Sequence, residues 1–527
     1  MKRLVCILSV CIASVFTASA GDDCWQVDWN ASARMAGSTG QYMPFWARTG
    51  EDGILPLRSS GLITAGTDIS YNHSNGLFFK AGTNLAGALA LKSPLNTEPV
   101  YGMVDRLYVS GGWKMLRMDI GMLPRRGELG WQSVTGGDFL MSGNARNLPG
   151  INLSSDWIYF EKGHWVGIRG NLAHYHLFDD RKVPGAMIHN KSVDIKIALG
   201  RKVDLIAGFH HYAQWGGEGQ TVSFKDYVKI FFARRGDSSD SVSDQNNVFG
   251  NHLGREWARL VWRATPFTLT FQYDKPFEDN SGMVFQNFPD GVWTLQFAMN
   301  NRDALVTDIT YEFINTTWQS GDRHDRPATE EEMSRQDPSD LYYGKIVLGG
   351  CDNYFGNSPY SSGWTHYGRI MGLPLILPCM PNAQGIIPNI SNTRLRGHHL
   401  AIGGVVAQKV PYRFKATFTE NFGTYSIPYA GVPWQLSLAL EADATKKATS
   451  LPVAFSLGVY GDIGKLYPNS VGLTLRLSYE GFHRFLLKPV RFFLVLLENN
   501  NRNVQMKGIL KTIIFLSNRY RSFHVHE

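Results

Sequence analysis

Apolar and polar residues alternate along most of this sequence with a period of two. In residues 471–480 (VGLTLRLSYE), the apolar side chains from Val471 to Tyr479 share one face, and the residues from Gly472 to Glu480 share the other. Such a period places successive side chains on opposite faces of a β-strand. The same alternation is present in residues 116–123, 191–200, 268–274, 413–420 and 434–442. About eighteen such segments, separated by turn-rich links, predict an all-β protein.

Two all-β architectures fit this pattern. A soluble sandwich or propeller would bury the apolar faces in a core, and a propeller would repeat its sequence every 40 to 50 residues or so, which this chain does not. A membrane barrel turns the apolar faces to lipid and the polar faces to a lumen. Charged residues on the polar faces favour the barrel, because a soluble core would leave them without partners. These residues are Arg117, Asp119, Asp194, Lys196, Arg476 and Glu480.

Strand edges and hydropathy lead to the same prediction. An open sheet of so many strands would aggregate through its edges, whereas closure removes them. No stretch between residues 21 and 485 has the continuous apolar run that a membrane helix needs. We therefore predict a transmembrane antiparallel β-barrel of about eighteen strands with long loops.

The beginning of the chain looks like a targeting segment. Residues 1–20 have a basic start, an apolar stretch and small residues at Ala18 and Ala20, which predicts a secretory signal peptide. A lipoprotein signal is a weaker alternative, because Cys11 lies deep in the apolar stretch. The predicted location is the outer membrane, reached after export across the inner membrane.

The end of the chain departs from the strand pattern. A final strand would end well at the aromatic Phe485, but the basic and apolar residues 486–527 follow it. We interpret this tail first as a shifted reading frame and second as an extension. The predicted divisions are therefore a signal peptide (1–20), a barrel (21–485) and an atypical tail (486–527).

Charge and cysteine content give no support for two classes of function, nucleic-acid binding and redox chemistry. The net charge of +7 comes from the signal segment and the tail, which leaves residues 21–485 neutral and gives no support for nucleic-acid binding. The three cysteines outside the signal segment are an odd number spread over a long chain, so they form no disulfide framework, and whether Cys351 and Cys379 pair stays open.

Two long links differ from simple turns. Residues 124–155 and 350–396 are rich in glycine, proline, asparagine and aromatic residues. Loops of this length are usually functional, and in a barrel they can also plug the lumen. Residues 328–336 (ATEEEMSRQ) predict one short helix, with acidic residues near its start.

The stretch FHHYAQWGGEG contains adjacent histidines. On a strand, His210 and His211 point to opposite faces and cannot share one metal. We expect His211 and Trp215 to end a lipid-facing row at the membrane interface. Tyr212 and Gln214 would then face the lumen with His210 and could bind a polar ligand.

A second histidine pair is the better metal candidate. His174 and His176 share a face and are followed by Asp179 and Asp180, so they could converge on a transition metal. Strand-end polar residues near water are the commoner explanation of such a stretch, and we predict no metal and no cofactor.

Catalytic motifs are missing. The sequence has no G-x-S-x-G elbow, H-E-x-x-H motif, P-loop or CxxC motif. A triad of distant residues is unreadable from sequence, but we expect a protein that is not an enzyme.

Aromatic residues beside amides and acids in the links suit sugar binding. Rings stack on the apolar faces of sugars, while polar groups bind the hydroxyls. An aromatic girdle with ordinary turns explains the composition equally well. The predicted binding residues are His210, Tyr212, Gln214, Trp215, Asp274, Glu278, Asp279, Trp293, Tyr354, Tyr360, Trp364 and Tyr367.

Several stretches together resemble one family. They are GQYMPFWARTGEDGILP (40–56), SGNARNLPGI (142–151), GFHHYAQWGG (208–217), PFEDNSG (276–282), DGVW (290–293) and DNYFGNSPYSSGWTHYGRIMGLPL (352–375). Taken in order, these stretches resemble the Wzi family of capsule-assembly outer-membrane proteins, in its Bacteroides-like form. The resemblance implies a barrel that binds capsular or other surface polysaccharide and attaches it to the cell.

The expected function is therefore attachment of polysaccharide through extracellular loops. Its partners would be the polysaccharide, outer-membrane lipids and the barrel assembly machinery, with no nucleic acid. A porin-like saccharide channel is the first alternative and needs an open lumen. An outer-membrane hydrolase, with His174 or His210 near an outward nucleophile, is the second.

Overall fold

The computed structural model describes most of the barrel region. The described residues are 24–160, 163–220, 222–234, 250–321, 326–334, 341–342, 346–347, 352–444 and 453–485. The predicted signal peptide, Cys351 and the tail (486–527) lie outside them.

Eighteen antiparallel strands form one closed sheet, in which each strand pairs with the next and the last pairs with the first. The strands are β1 Cys24–Ser38, β2 Ser60–Asn72, β3 Leu77–Ala90, β4 Val100–Trp113, β5 Leu116–Met122, β6 Pro149–Ser155, β7 Val166–His176, β8 Met187–Leu199, β9 Val203–Trp215, β10 Asn251–Arg263, β11 Phe267–Phe277, β12 Gly291–Met299, β13 Asp308–Asn315, β14 Arg394–Val406, β15 Val410–Gly423, β16 Trp434–Ala444, β17 Ala454–Gly464 and β18 Ser470–Phe485. The short segment Ile158–Tyr159 continues β6 along β7. The predicted fold class is confirmed, whereas the predicted end of the last strand at Phe485 coincides with the last described residue and stays a prediction.

The connections differ between the two ends of the barrel. Tight turns at one end, the short-turn end, include residues 73–76, 114–115, 200–202, 264–266 and 407–409. Long connections at the other end, the long-loop end, include residues 39–59, 123–148, 216–250, 278–290 and 316–393. Outer-membrane barrels have short periplasmic turns and long extracellular loops, so this asymmetry assigns the long-loop end to the cell exterior.

The outward side of the sheet is apolar and exposed. Along β18, Val471, Leu473, Leu475 and Leu477 all point outward and are between 40% and 57% exposed. An apolar surface that runs around the whole wall would be unstable in water, and a lipid bilayer is the solvent that suits it. The face assigned to lipid from the alternation is confirmed for this strand.

The inward side of the sheet carries paired charges. On β5, Arg117 and Asp119 form an ion pair of 2.6 Å, and Asp194 on β8 accepts a hydrogen bond from Arg169 at 2.7 Å. Lys196 pairs with Asp204 at 3.1 Å. These ion pairs give partners to the charged residues of the polar faces, which favoured a barrel over a soluble core in the sequence.

Three loops from the long-loop end fold back into the lumen and form a plug. They are residues 39–59, 123–148 and 352–393, and their apolar side chains pack into one buried cluster. Phe45, Phe139 and Trp364 belong to this cluster and are at most 3% exposed. The prediction that long links plug the lumen is confirmed. Both links end earlier than expected, because β6 starts at Pro149 and β14 at Arg394.

Carboxylates of the wall hold the plug through its backbone. The amide of Phe139 donates to Asp274 on β11 at 2.9 Å, and the amide of Val134 donates to Glu312 on β13 at 2.8 Å. Irregular loops leave backbone N–H groups without partners, and a buried N–H group needs one. These lumenal acids therefore fix where the plug sits.

The helices are short, and the sequence pattern predicted only one of them. They are α1 Phe45–Arg48, α2 Phe224–Phe231, α3 Asn280–Met283 and α4 Glu330–Ser334. Helix α4 lies within the predicted segment 328–336. Within the part of the chain that the structure describes, no helix is long and apolar enough to cross a membrane.

Helix α2 lies on the outside of the wall and changes one expectation. Its Tyr227 ring contacts Trp215 with centroids 4.9 Å apart, so α2 covers this residue. His211 is only 4% exposed, and its Nε2 lies 2.8 Å from Nδ1 of His252. Both His211 and Trp215 are on the outward side as expected. The expectation that His211 faces lipid is wrong, since this residue is buried next to His252, whereas Trp215 is partly exposed beside helix α2.

Candidate functional site

Three of the predicted sugar-binding aromatics are buried inside the plug. The Trp364 indole donates to the Leu140 carbonyl at 2.9 Å and is fully buried. The Tyr354 hydroxyl donates to Asp290 at 3.1 Å, and the Tyr360 hydroxyl donates to the Gly216 carbonyl at 3.2 Å. Their contacts are internal, so they shape the loops from within.

The three predicted residues on the inner face of β9 do face the lumen. His210 Nε2 lies 2.8 Å from Asp194, and the Tyr212 ring contacts Trp364 with centroids 5.6 Å apart. Gln214 is fully buried and accepts a hydrogen bond from Asn251 at 3.1 Å. His210 and Tyr212 line a cavity of about 420 Å³ beneath the plug.

The predicted acids divide into two anchors and one exposed residue. Asp274 binds the plug, as described above, and also accepts a hydrogen bond from Arg255 at 2.8 Å. Glu278 accepts hydrogen bonds from the backbone amides of Phe355 at 2.7 Å and Asn353 at 3.2 Å. Asp279 is exposed at the long-loop end.

Trp293 belongs to the outer wall. Its ring stacks on Tyr273 with centroids 3.8 Å apart, and its indole donates to the Pro289 carbonyl at 3.1 Å. This position next to a loop suits an aromatic residue at the membrane interface. Sugar contact by this residue and by the other predicted residues stays a prediction.

Tyr367 is placed differently from the other aromatics, at the tip of a small hairpin. Thr365–His366 pairs with Arg369–Ile370, and the two turn residues Tyr367 and Gly368 have φ angles of 48° and 73°. Two left-handed residues in a row form the type I′ turn that suits a tight hairpin. A bulky side chain is rare at such a position, and here the turn presents Tyr367 with 40% of its surface exposed.

An arginine lies under the exposed ring. The Arg146 guanidinium carbon is 4.5 Å from the centroid of the Tyr367 ring, a cation–π contact. Arg146 also donates to the Val104 carbonyl at 2.7 Å, while its buried Nε has no partner in the described structure. We call Tyr367 and Arg146 together the Tyr367–Arg146 patch.

Buried polar groups hold this patch in place. The Tyr367 amide donates to Asp179 at 3.0 Å, and Asp179 also receives a hydrogen bond from Arg181 at 3.1 Å. Arg181 donates further to the carbonyls of Thr365 and Gly363 and is 2% exposed. Burial lowers the pKa of His366, next to Tyr367, to about 4, so its ring is neutral near pH 7.

Several carboxyl groups in the loops have pKa values above their ordinary range. Burial raises the pKa of Asp52 to about 7 and that of Asp290 to about 6. Burial also raises the pKa of Asp352 to about 7, and Asp279 adds to this effect. The pKa of Glu278 lies well above its ordinary value because of burial and because Asp352 is close. The acids that hold the loops are therefore sensitive to pH.

The second histidine pair does not form a cluster with acids. His174 and His176 lie on the outward side of β7, and the His174 ring faces Trp215 with centroids 5.3 Å apart. Among the residues that the structure describes, no group of three or more histidine, cysteine, aspartate or glutamate residues is placed to hold a metal ion.

Sequence reasoning missed Arg146, Asp179 and Arg181 as parts of the long-loop surface. They lie far along the chain from Tyr367, so no local pattern connects them. Part of a signal was present in Gly368, because glycine is common at the second position of a two-residue hairpin turn, but the tyrosine before it is not typical of such a turn.

The fold and its loops define the class: a closed eighteen-stranded barrel of the outer-membrane type with loops packed into its lumen. No protein-family model and no curated protein matches the chain. Among solved structures, the chain is similar to Wzi of Escherichia coli, an outer-membrane protein involved in group 1 capsule assembly and a carbohydrate-binding β-barrel. The identity is 13% and the TM-score is 0.48, and the match covers 90% of this chain and 87% of that chain.

Two further solved structures are similar, with slightly lower TM-scores. OccK3 (OpdO) of Pseudomonas aeruginosa has 10% identity, a TM-score of 0.45, and coverage of 87% of this chain and 96% of that chain. OccAB4 of Acinetobacter baumannii has 10% identity, a TM-score of 0.43, and coverage of 88% of this chain and 99% of that chain. Membership of the Wzi family, and of its Bacteroides-like branch, therefore stays a prediction.

Proposed function

We propose that this protein is an outer-membrane barrel that binds capsular or other surface polysaccharide and attaches it to the cell through the long-loop end. The proposal includes membership of the Wzi family, a signal peptide that directs export, and assembly by the barrel assembly machinery. It also includes a binding role without catalysis.

The observation that carries the proposal is the plug. Its loops are fixed to the wall by buried carboxylates, and its centre is a packed apolar cluster that contains Phe139 and Trp364. A channel needs water along its axis, whereas a binding protein needs a rigid outer surface. A plug with this many internal contacts therefore favours a binding protein over a channel.

The Tyr367–Arg146 patch has the chemistry that sugar binding needs. The exposed Tyr367 ring offers an apolar face for stacking, and the guanidinium of Arg146 is a donor for hydroxyl or carboxylate oxygens. The strained turn and the buried Asp179–Arg181 pair hold the ring in one orientation before a ligand arrives. Preorganisation of this kind lowers the entropic cost of binding.

The alternatives rest on weaker observations. A porin-like saccharide channel would need the plug loops to leave the lumen. A hydrolase would need a nucleophile beside His174 or His210, yet His174 lies on the outer wall and His210 contacts Asp194 and the indole of Trp257.

Replacement of the patch residues is expected to weaken polysaccharide binding. We expect Tyr367→Ala to lower the affinity of purified protein for surface polysaccharide from its own strain by about tenfold, since a stacked aromatic ring contributes of order 1 to 2 kcal/mol. Arg146→Gln should have a similar effect, because it removes a charged donor. Biolayer interferometry with immobilised polysaccharide measures both changes.

Phe224→Ala is the matched control, because Phe224 is an 83% exposed aromatic residue on helix α2, outside the patch. Its affinity should equal that of the unmodified protein. Equal affinity of all four proteins would show that the patch is not the binding site. No measurable binding by the unmodified protein would contradict the proposed function itself.

A further inference from the structure

The outward face of β8 changes from apolar to polar near the long-loop end. Val193 and Ile195 point outward and are 39% and 46% exposed, as residues that face lipid should be. The next outward residues toward the loops are Lys191 and His189, and His189 is buried. A charge on the lipid face of a barrel costs least at the membrane interface, so the hydrocarbon region ends between Val193 and Lys191 on this strand.

An ion pair marks the same boundary on two later strands. Glu256 on β10 and Lys275 on β11 are cross-strand partners on the outward face and form an ion pair of 2.9 Å. The same cross-strand row contains Phe209 on β9 and Val193 on β8. The row is thus apolar at β8 and charged at β11. Because the strands of a barrel are tilted, one row crosses the edge of the hydrocarbon region in this way.

Two segments of the long-loop end cover these polar outward positions. On α2, Ile230 is fully buried, and the Phe231 ring lies 4.8 Å from that of His189. Segment 278–290 covers the ion pair, because the Phe285 ring centroid lies 4.1 Å from Lys275 Nζ. We call α2 and segment 278–290 together the collar.

The side of the collar that faces away from the wall is also apolar. Phe224, Val228 and Phe232 are spaced four residues apart, so they share one side of α2, and they are 83%, 38% and 61% exposed. In segment 278–290, Phe285 and Phe288 are 54% and 53% exposed. A helix that is apolar on two sides is stable only in apolar surroundings, so the collar needs a partner of that kind.

Position and composition show which partner fits. The collar begins where the lipid-facing wall ends, since Val193 lies only two residues, or about 7 Å, from Lys191 along β8. Its exposed aromatic side is therefore continuous with the surface that faces lipid. The chain that follows α2 is a poor alternative, because residues 235–249 include four serines and three aspartates.

We propose that the collar lies in the outer leaflet of the outer membrane, with its exposed aromatic side chains among the lipid headgroups and the upper acyl chains. Aromatic side chains favour this depth, and a short helix with an exposed apolar side can lie in the plane of the interface. The collar then separates Lys191, Glu256 and Lys275 from the hydrocarbon. This inference rests on the barrel class and not on polysaccharide binding.

Nitroxide labels measure the depth of the collar. They are introduced as Phe224→Cys and Phe288→Cys in a full chain whose three cysteines outside the predicted signal peptide are replaced by serine. The protein is placed in nanodiscs of phosphatidylethanolamine and phosphatidylglycerol. Power-saturation electron paramagnetic resonance then compares collisions of the label with oxygen, which concentrates in lipid, and with a water-soluble nickel chelate.

The ratio of oxygen to nickel collisions decides between lipid and water. We expect this ratio at positions 224 and 288 to be at least about twofold higher than in Tyr367→Cys, on the long-loop surface. It should lie closer to that of Leu475→Cys, on the lipid-facing side of β18. A ratio equal to that of Tyr367→Cys at either collar position would overturn the proposal.

Hydrogen exchange tests the same contact without a label, so it decides if a labelled variant fails to fold. Replacing Phe224 and Phe232 with alanine should speed amide exchange of α2 in nanodiscs by about tenfold, because two rings lose their burial in lipid. Alanine has the higher helix propensity, so faster exchange reports the lost contact. Met380→Ala, at a 59% exposed position outside the collar, should leave α2 unchanged. Unchanged exchange in the double variant would overturn the proposal.

Discussion

A barrel without loop 123–148 is expected to conduct ions steadily in planar bilayers, whereas the unmodified protein should not show the conductance of a general pore. The change that we envisage replaces residues 125–145 with a short Gly-Ser linker, which can join β5 and β6 because Met122 and Pro149 are paired neighbours. Barrels of 16 to 18 strands or so leave an aqueous channel when nothing fills them.

The reason for so large an effect is the central position of this loop. It separates the cavity of about 420 Å³ from a second lumenal cavity of about 500 Å³, and Arg126 borders both. It also supports the loop 352–393, since the Leu373 amide donates to the Phe139 carbonyl at 2.9 Å and Trp364 donates to Leu140. Its removal joins the cavities and releases a second part of the plug.

Helix α2 provides the control for this experiment. A linker in place of residues 222–234 removes a helix from the outer wall and leaves every plug loop intact. This variant should remain closed. Steady conductance of the unmodified protein, or none after removal of residues 125–145, would show that loop 123–148 does not close the lumen.

The plug loops are expected to hold more loosely at pH 8 than at pH 5. The pKa values of Asp52 and Asp352 are raised to about 7, and that of Asp290 to about 6, in each case chiefly by burial. When a loop leaves its site, these groups return to their ordinary pKa near 4. The docked state therefore holds more protons than the undocked state between about pH 4 and pH 7.

The sign of the effect follows from this difference. As the pH rises from about 4 to 7, each group weakens docking by up to about 1.4 kcal/mol per pH unit, and the loss levels off above pH 7. Hydrogen-exchange protection factors of residues 352–393 should fall at least tenfold or so between pH 5 and pH 8.

Asp352→Asn tests the assignment of this effect, because an amide oxygen can still accept the hydrogen bond of 2.7 Å from Ser320 but carries no charge. In this variant the difference in protection between pH 5 and pH 8 should become smaller, while Asp52 and Asp290 keep their part of it. Glu98→Gln, at an exposed position, should keep the full pH dependence. Protection that is equal at both pH values in the unmodified protein, or higher at pH 8, would refute the account.

The barrel itself could be predicted from the sequence because strand periodicity is a local property. The alternation along residues 471–480 gave the correct outward face, and the charged partners Arg117 and Asp119 were correctly placed inside. Helix α2 escaped notice because its eight residues lie in a turn-rich link, where an amphipathic period is too short to stand out.

The surface of the long-loop end could be predicted only in part. An aromatic residue in a loop has the same composition whether it stacks on a sugar or packs inside a plug, so Trp364 and Tyr367 looked equivalent in the sequence. The difference between them is tertiary, because Trp364 contacts Leu140 in the plug while Tyr367 extends from a turn above Arg146. Contacts between distant segments decide which ring is exposed.

The most direct test of the central claim compares cell-bound with released surface polysaccharide in a strain that lacks this protein. The account predicts that polymer leaves the cells and accumulates in the medium. It also predicts that the unmodified protein restores retention, whereas a Tyr367→Ala, Arg146→Gln double variant at equal abundance does not. Unchanged retention in the strain that lacks the protein would contradict attachment as its function.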